Sequence, residues 1–158
     1  GAAVVAPGES YLASHLFTSG NDSVLSIPLG KGNSPFYEKD VEPLAVHMSG
    51  QETFKFAVKQ IVGDIKLICE QAGISPEQID YIVPHQANIR IIDLAARRLG
   101  VPMEKFIVNI EKIGNTSSAS VPISFDGLVR SGKLKKGDLI VLCAFGGGLS
   151  SGACLLRW

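Results

Sequence analysis

Apolar residues along this chain follow two rhythms. Short continuous runs bounded by Gly, Pro, Asn and Ser alternate with longer stretches in which apolar side chains recur every three or four positions. The longest helical stretch opens at Ser49-Gly50-Gln51-Glu52, a Ser followed three residues on by Glu, which is the pattern of a capping box. From there Phe54, Val58, Ile61, Ile65, Ile68 and Ala72 step by four and three, keeping one face apolar for about six turns until Gly73 ends the helix. Ser75-Pro76-Glu77-Gln78 is a second cap, with Pro at the first position of a short turn. Helical patterns also cover 88–99, stopped by Gly100 and Pro102, and 117–131, where Pro122 must fall in the first turns or kink the helix.

The apolar runs at 1–6, 12–17, 24–29, 79–83, 106–109, 139–145 and 151–158 read as strands. Residues 30–46, rich in Gly, Pro, Asn and charge, read as a long surface loop, and loops of that length tend to be functional. Lys135-Lys136-Gly137-Asp138 is a turn, and Gly146-Gly147-Gly148 a sharp bend that returns the last strand antiparallel to the one before it. Strands alternating with helices predict an α/β fold with a mostly parallel sheet and an antiparallel terminal hairpin. With no internal repeat or low-complexity tract, residues 1–158 form a single unit.

Composition narrows the function classes. Hydrophobic residues make up 46% of the 158 and charged residues 19%, an ordinary globular balance. Fifteen basic residues offset fifteen acidic ones, which removes the global electrostatic case for nucleic acid or a membrane surface. No apolar run is long enough to span a bilayer. Three cysteines, Cys69, Cys143 and Cys154, are too widely and unevenly spaced for a disulfide framework or a zinc site. They read as buried thiols in a reducing cytoplasm, and no metal-ligand cluster is visible. The abrupt apolar start, Gly1-Ala2-Ala3-Val4-Val5, suggests a fragment boundary.

Three segments place polar or glycine-rich residues just after buried strands, where α/β folds build their sites. They are Pro84-His85-Gln86-Ala87-Asn88, Gly114-Asn115-Thr116-Ser117-Ser118-Ala119-Ser120 and Phe145-Gly146-Gly147-Gly148. Singly, each has a bland reading: a structural His, a helix-capping Asn, a glycine turn needing positive φ. Together, a His, an Asn and bare backbone N–H groups form a donor set suited to one developing oxyanion.

These segments, read as Pro84-His85-Gln86-Ala87-Asn88-Ile89-Arg90, Gly114-Asn115-Thr116-Ser117 and Ala144-Phe145-Gly146-Gly147-Gly148, resemble in kind and order the C-terminal signatures of β-ketoacyl-acyl-carrier-protein synthase III. The resemblance implies the C-terminal half of a thiolase-like fold, layered α/β/α/β/α, with a mixed, mostly parallel five-stranded sheet and usually dimeric. It implies a condensing enzyme that joins an acyl-CoA primer to a malonyl-acyl-carrier protein with loss of CO2, initiating type II fatty-acid synthesis. By motif, His85 and Asn115 match the catalytic residues that hydrogen-bond the malonyl thioester carbonyl, Gly147 the oxyanion-hole N–H, and Phe145 an aromatic lining residue. Gly50 and Asn88 match positions near the pantetheine arm of CoA. Lys55, Arg90, Arg97 and Arg98 match a basic surface for acyl carrier protein; Arg90 and Arg97, seven residues apart, share one side of a helix. CoA thioester enters as substrate, with no permanently bound cofactor.

Two departures qualify the match. The family's cysteine nucleophile, at the start of a buried helix in the N-terminal half, has no counterpart among Cys69, Cys143 and Cys154. Ser150-Ser151 also stands where many relatives carry Thr-Trp, which bears on primer preference. Three readings stay open: a portion of a full synthase whose N-terminal half lies elsewhere, a free-standing truncated product, and a non-catalytic partner of another thiolase-like subunit. Starter synthases for polyketides and alkylquinolones share these motifs.

Overall fold

A computed structural model describes residues 2–27 and 45–158. The loop expected over 30–46 falls almost wholly outside them, as do Gly1 and the end of the strand expected over 24–29. The long helix is α1 (Gly50–Gln71). Val58, Ile61, Ile65 and Ile68 are buried along it, because the four-three spacing turns all of them toward the sheet. The helix starts where expected, but without the capping box. Ser49 makes no side-chain cap bond, and Glu52 pairs with Lys55 at 3.1 Å instead of turning back. Its end is a Schellman turn. Gly73, at φ +67°, donates to Glu70 O, and Ile74 donates to Cys69 O at 3.0 Å.

Strands β1 (Tyr11–Thr18), β4 (Tyr81–Pro84), β5 (Leu139–Gly146) and β6 (Ser150–Arg157) form a four-stranded sheet in the order β1-β6-β5-β4. A separate pair joins β2 (Leu25–Ser26) to β3 (His47–Met48). The main sheet is mixed, as the alternation of elements predicts. Its parallel share is smaller than expected: β4 and β5 run parallel, while β6 is antiparallel to both β5 and β1. The glycine bend is the cause, since it folds β6 straight back along β5 and leaves β1 to pair with a reversed strand.

Two expected strands do not form. The segment at 106–109 makes only a single parallel bridge, Ile82 to Phe106, for a reason that belongs to the site described below. Residues 2–6 form no strand, with Val4 100% exposed. A strand needs a hydrogen-bonding neighbour, and none of the described residues supplies one here.

Alternation along the strands sorts the core into two layers. Ile82 and Val141 face α1 and α2 (Ile89–Leu99), whereas Val83 and Ile140 face α4 (Ser120–Arg130). Pro122 sits in the first turn of α4, where a missing N–H costs nothing. The short helix α3 (Ile110–Ile113) precedes it. Among the described residues, no helix is long and apolar enough to cross a membrane.

Candidate active site

Because β4 and β5 are parallel neighbours, their C-terminal ends open on the same side. His85 extends the ladder one residue past β4, its N–H donating to Cys143 O at 2.8 Å. That register sets the imidazole edge-on against Phe145, with ring centroids 5.3 Å apart. The structure thus places Phe145, expected to line the site, beside His85. His85 is half-buried, and loss of hydration holds its pKa below the ordinary 6.5. A neutral imidazole results at neutral pH. Its Nδ1 lies 2.6 Å from Ser120 Oγ, the first residue of α4.

Gln86 explains the missing fifth strand. Ile107 N donates to Ile82 O at 2.8 Å, so a parallel ladder begins; the next donor would be the N–H of residue 84, and Pro84 has none. The side chain of Gln86, fully buried, fills that gap. Its Nε2 donates to Pro84 O at 2.9 Å and to Ile107 O at 3.0 Å, and its Oε1 accepts from Asn109 N at 3.1 Å. The Gln86 N–H in turn donates to Ser120 Oγ at 3.3 Å, and Ser124 Oγ donates to Asn109 Oδ1 at 3.1 Å. One polar brace thus ties the His85 loop to the edge segment and to α4.

Asn115 lies between α3 and a 3-10 turn over Ser117–Ala119. It does not cap α4, whose N-cap is Ala119 with no side-chain bond. Its Oδ1 instead accepts from Ser117 N at 3.0 Å, and the exposed side chain keeps its NH2 end for donation. The loop is locally strained: Ser117 holds φ +54°, a left-handed conformation that costs a side chain of this kind about 1–2 kcal/mol. The Asn115 loop leads into α4, whose first residue, Ser120, contacts His85.

Gly147 begins the 3-10 turn Gly147–Leu149 directly after β5, two residues beyond Phe145. A Cβ on Gly147 would sit 3.4 Å from Leu25 O, because β2 crosses the turn. Leu25 pairs with Met48, and Ser49 N donates to Val24 O at 2.8 Å, so the same crossing carries Gly50, exposed at the start of α1, toward the glycine turn. Asn88 is the N-cap of α2, its Oδ1 accepting from Arg90 N at 2.9 Å.

The basic residues sit on α1 and α2. Lys55 is paired with Glu52, and Arg97 with Asp93 at 2.8 Å, so their charge is partly offset by their own helices. Arg90 and Arg98 are exposed. A groove of about 400 Å³ runs between Phe106–Asn109 and α4, and its lining includes none of His85, Asn115, Phe145 or Gly147.

All three thiols are pushed away from the thiolate. Burial, and then the charge of Asp64, raise Cys143 to about 12. Burial also raises Cys154 and, with help from Glu77, Cys69. Asp64 is itself buried and pairs with His15 at 2.9 Å.

The sequence pattern of the family described as 3-oxoacyl-(acyl-carrier-protein) synthase III C terminal matches residues 69–158. The chain belongs to this family. The β-ketoacyl-acyl-carrier-protein synthase III of Desulfotalea psychrophila is 45% identical over 100% of this chain, which spans 50% of that protein. The crystal structure of 3-oxoacyl-acyl-carrier-protein synthase III from Aquifex aeolicus superposes with a TM-score of 0.82 and 39% identity, over 94% of this chain and 44% of that one. A priming β-ketosynthase from a polyketide biosynthetic pathway matches with a TM-score of 0.78 and 34% identity, over 94% of this chain and 45% of that one. The expected thiolase-like α/β fold holds, and the chain spans about half the length of the curated relatives it matches.

Of the residues named from sequence, the fold brings His85 and Phe145 into contact and sets Gly147 on the adjoining turn. Sequence reasoning missed Gln86, Asn109, Ser120 and Ser124 as parts of the site. Gln86 and Ser120 lay inside the quoted motifs, and Pro84 was the signal: a proline ending a strand leaves an edge carbonyl that another donor must meet.

Proposed function

We propose that this chain supplies the decarboxylation centre of a β-ketoacyl-acyl-carrier-protein synthase III acting in fatty-acid synthesis. The observation that carries it is the neutral, partly desolvated His85 at the parallel strand ends, packed on Phe145. In the reaction, the bond between the malonyl carboxylate and the α-carbon breaks and CO2 leaves. The electron pair moves into the thioester, forming an enolate whose oxygen accepts hydrogen bonds from His85 Nε2–H and the Asn115 NH2. Such donors are worth most where water is excluded. The enolate carbon then attacks an acyl thioester on a cysteine and expels the thiolate, with the Gly147 N–H stabilising the tetrahedral oxyanion. With Cys69, Cys143 and Cys154 held as thiols, that cysteine comes from a segment outside this chain. The isolated chain should not condense.

Gly50 and Asn88 would line the approach of the pantetheine arm, and Lys55, Arg90, Arg97 and Arg98 would meet the acidic carrier protein. The same reading makes the enzyme a cytoplasmic homodimer. Because Lys55 and Arg97 are already paired, Arg90 and Arg98 should dominate docking. Arg90→Glu with Arg98→Glu is expected to raise KM for the malonyl carrier protein at least tenfold while leaving KM for malonyl-CoA within about twofold. Equal effects on both substrates would count against this surface.

The resemblance to a polyketide priming ketosynthase keeps a second reading, a starter synthase of the same chemistry. Comparing acyl-CoA primers in a condensation assay separates the two.

The pH dependence tests the site directly. The donor proposed here is the neutral imidazole, and burial holds the His85 pKa below the ordinary 6.5. If only the neutral ring serves, the midpoint of the acid limb of malonyl decarboxylation should lie below pH 6.5. An acid limb above pH 6.5 that His85→Gln abolishes would overturn the neutral-donor assignment.

A further inference from the structure

We propose that Ser120 is a positioning residue that fixes His85 in its Nε2–H tautomer by donating its hydroxyl hydrogen to Nδ1. The proton count on Ser120 Oγ carries the inference. This oxygen sits 2.6 Å from His85 Nδ1 and 3.3 Å from the Gln86 N. A backbone N–H can only donate, so Gln86 occupies one of the oxygen's lone pairs.

Two arrangements remain for the contact to His85. In one, Nδ1–H donates to Oγ, and the serine's own hydrogen must find another acceptor. Among the described residues Oγ has no such partner, and Ser120 is fully buried, so that hydroxyl would be stranded away from water. In the other, the hydroxyl donates to an unprotonated Nδ1. Every group is then satisfied, which buried polar groups demand. The hydrogen of the neutral ring falls on Nε2, the nitrogen left to face a substrate.

The serine is held for this task from both sides. Its carbonyl accepts from Ser124 Oγ at 2.7 Å, and the same hydroxyl, with its one hydrogen, also lies 3.1 Å from Asn109 Oδ1 on the edge segment braced by Gln86. The first turn of α4 follows the Asn115 loop in sequence, so the residue that sets the imidazole's hydrogen opens the helix into which the second expected enolate donor leads. That consequence rests on the proposed decarboxylation; the tautomer itself does not.

The test uses the full protein containing this chain, labelled with 15N-histidine, in long-range 1H–15N spectra at neutral pH, with His85→Gln to assign the ring. The wild-type spectrum should show a bare Nδ1 and a protonated Nε2. In Ser120→Ala the Nδ1–H form should become populated, and kcat for malonyl decarboxylation should fall about 10–100-fold with KM little changed. Ser120→Thr, which keeps the hydroxyl, should return both toward wild type. A wild-type ring protonated on Nδ1 would overturn the proposal, as would a folded Ser120→Ala that keeps pure Nε2–H and full rate. Should Ser120→Ala fail to fold, the wild-type spectrum alone decides. A wild-type Nε2–H ring in a protein that does not decarboxylate malonyl thioesters would uphold the tautomer and sink the functional reading; an Nδ1–H ring in an active enzyme would do the reverse.

Discussion

His85→Ala and Asn115→Ala, each in the full protein, are expected to slow CO2 release from a malonyl thioester by about 10²–10³-fold, the usual loss for one oxyanion-hole donor. Acylation of the nucleophilic cysteine by an acyl-CoA should stay within about threefold of wild type. The split follows from where charge develops. In the proposed reaction, decarboxylation builds an enolate oxygen in front of His85 and Asn115, whereas acyl transfer builds its oxyanion at the glycine turn, beside Gly147. Removing the imidazole also leaves a void against Phe145, whose ring lies 5.3 Å from it, so a conservative check is needed. His85→Gln keeps bulk and a donor and should recover part of the rate. Measuring acyl-enzyme formation by mass spectrometry alongside CO2 release tests the division. Loss of both steps in folded variants would contradict it.

Gln86→Ala carries the second large effect, and on stability. The buried amide serves Pro84 O, Ile107 O and Asn109 N, so truncation strands three backbone groups at once. A buried orphan costs about 1–3 kcal/mol, and water entering the vacated polar space offsets part of that. A net loss of about 2–4 kcal/mol is expected, seen as a lowered Tm. Activity should fall as well, because the brace holds the His85 loop against Ser120. Gln86→Leu, similar in volume but without the polar ends, should be no better. A Tm within about 1 °C of wild type in Gln86→Ala would show that the edge segment does not depend on this amide.

Much of the fold was legible in the order of residues because its signals are local. The four-three spacing of Val58, Ile61, Ile65 and Ile68 located α1 to within a residue, and Gly73, Gly100 and the Gly146–Gly148 bend marked the ends and turns. What was not legible depends on neighbours. The strand at 106–109 has the right composition, but its ladder stops because its partner is Pro84, and only the pairing reveals that. The apolar run at 1–6 has strand character yet pairs with nothing among the described residues. Ser49 and Glu52 spell a capping box, but Lys55, one turn on, takes the glutamate.

The site divides in the same way. His85, Asn115 and Gly147 stand out because a His, an Asn and a glycine turn after buried strands are unusual company. Ser120 and Gln86 do not stand out, since a serine opening a helix and a glutamine in a loop have ordinary explanations. Their importance lies in hydrogen bonds across 34 and 21 residues of sequence separation, which no local pattern encodes.

The most direct test of the account is to block the nucleophile and ask whether decarboxylation survives. Iodoacetamide at neutral pH should alkylate one cysteine outside this chain and spare Cys69, Cys143 and Cys154, whose thiols are all raised. Condensation should then stop while CO2 release from malonyl thioester continues through His85 and Asn115. If label lands on one of these three cysteines as condensation is lost, or if CO2 release disappears with a full set of intact His85 and Asn115 side chains, the chain is not the decarboxylation half of a condensing enzyme.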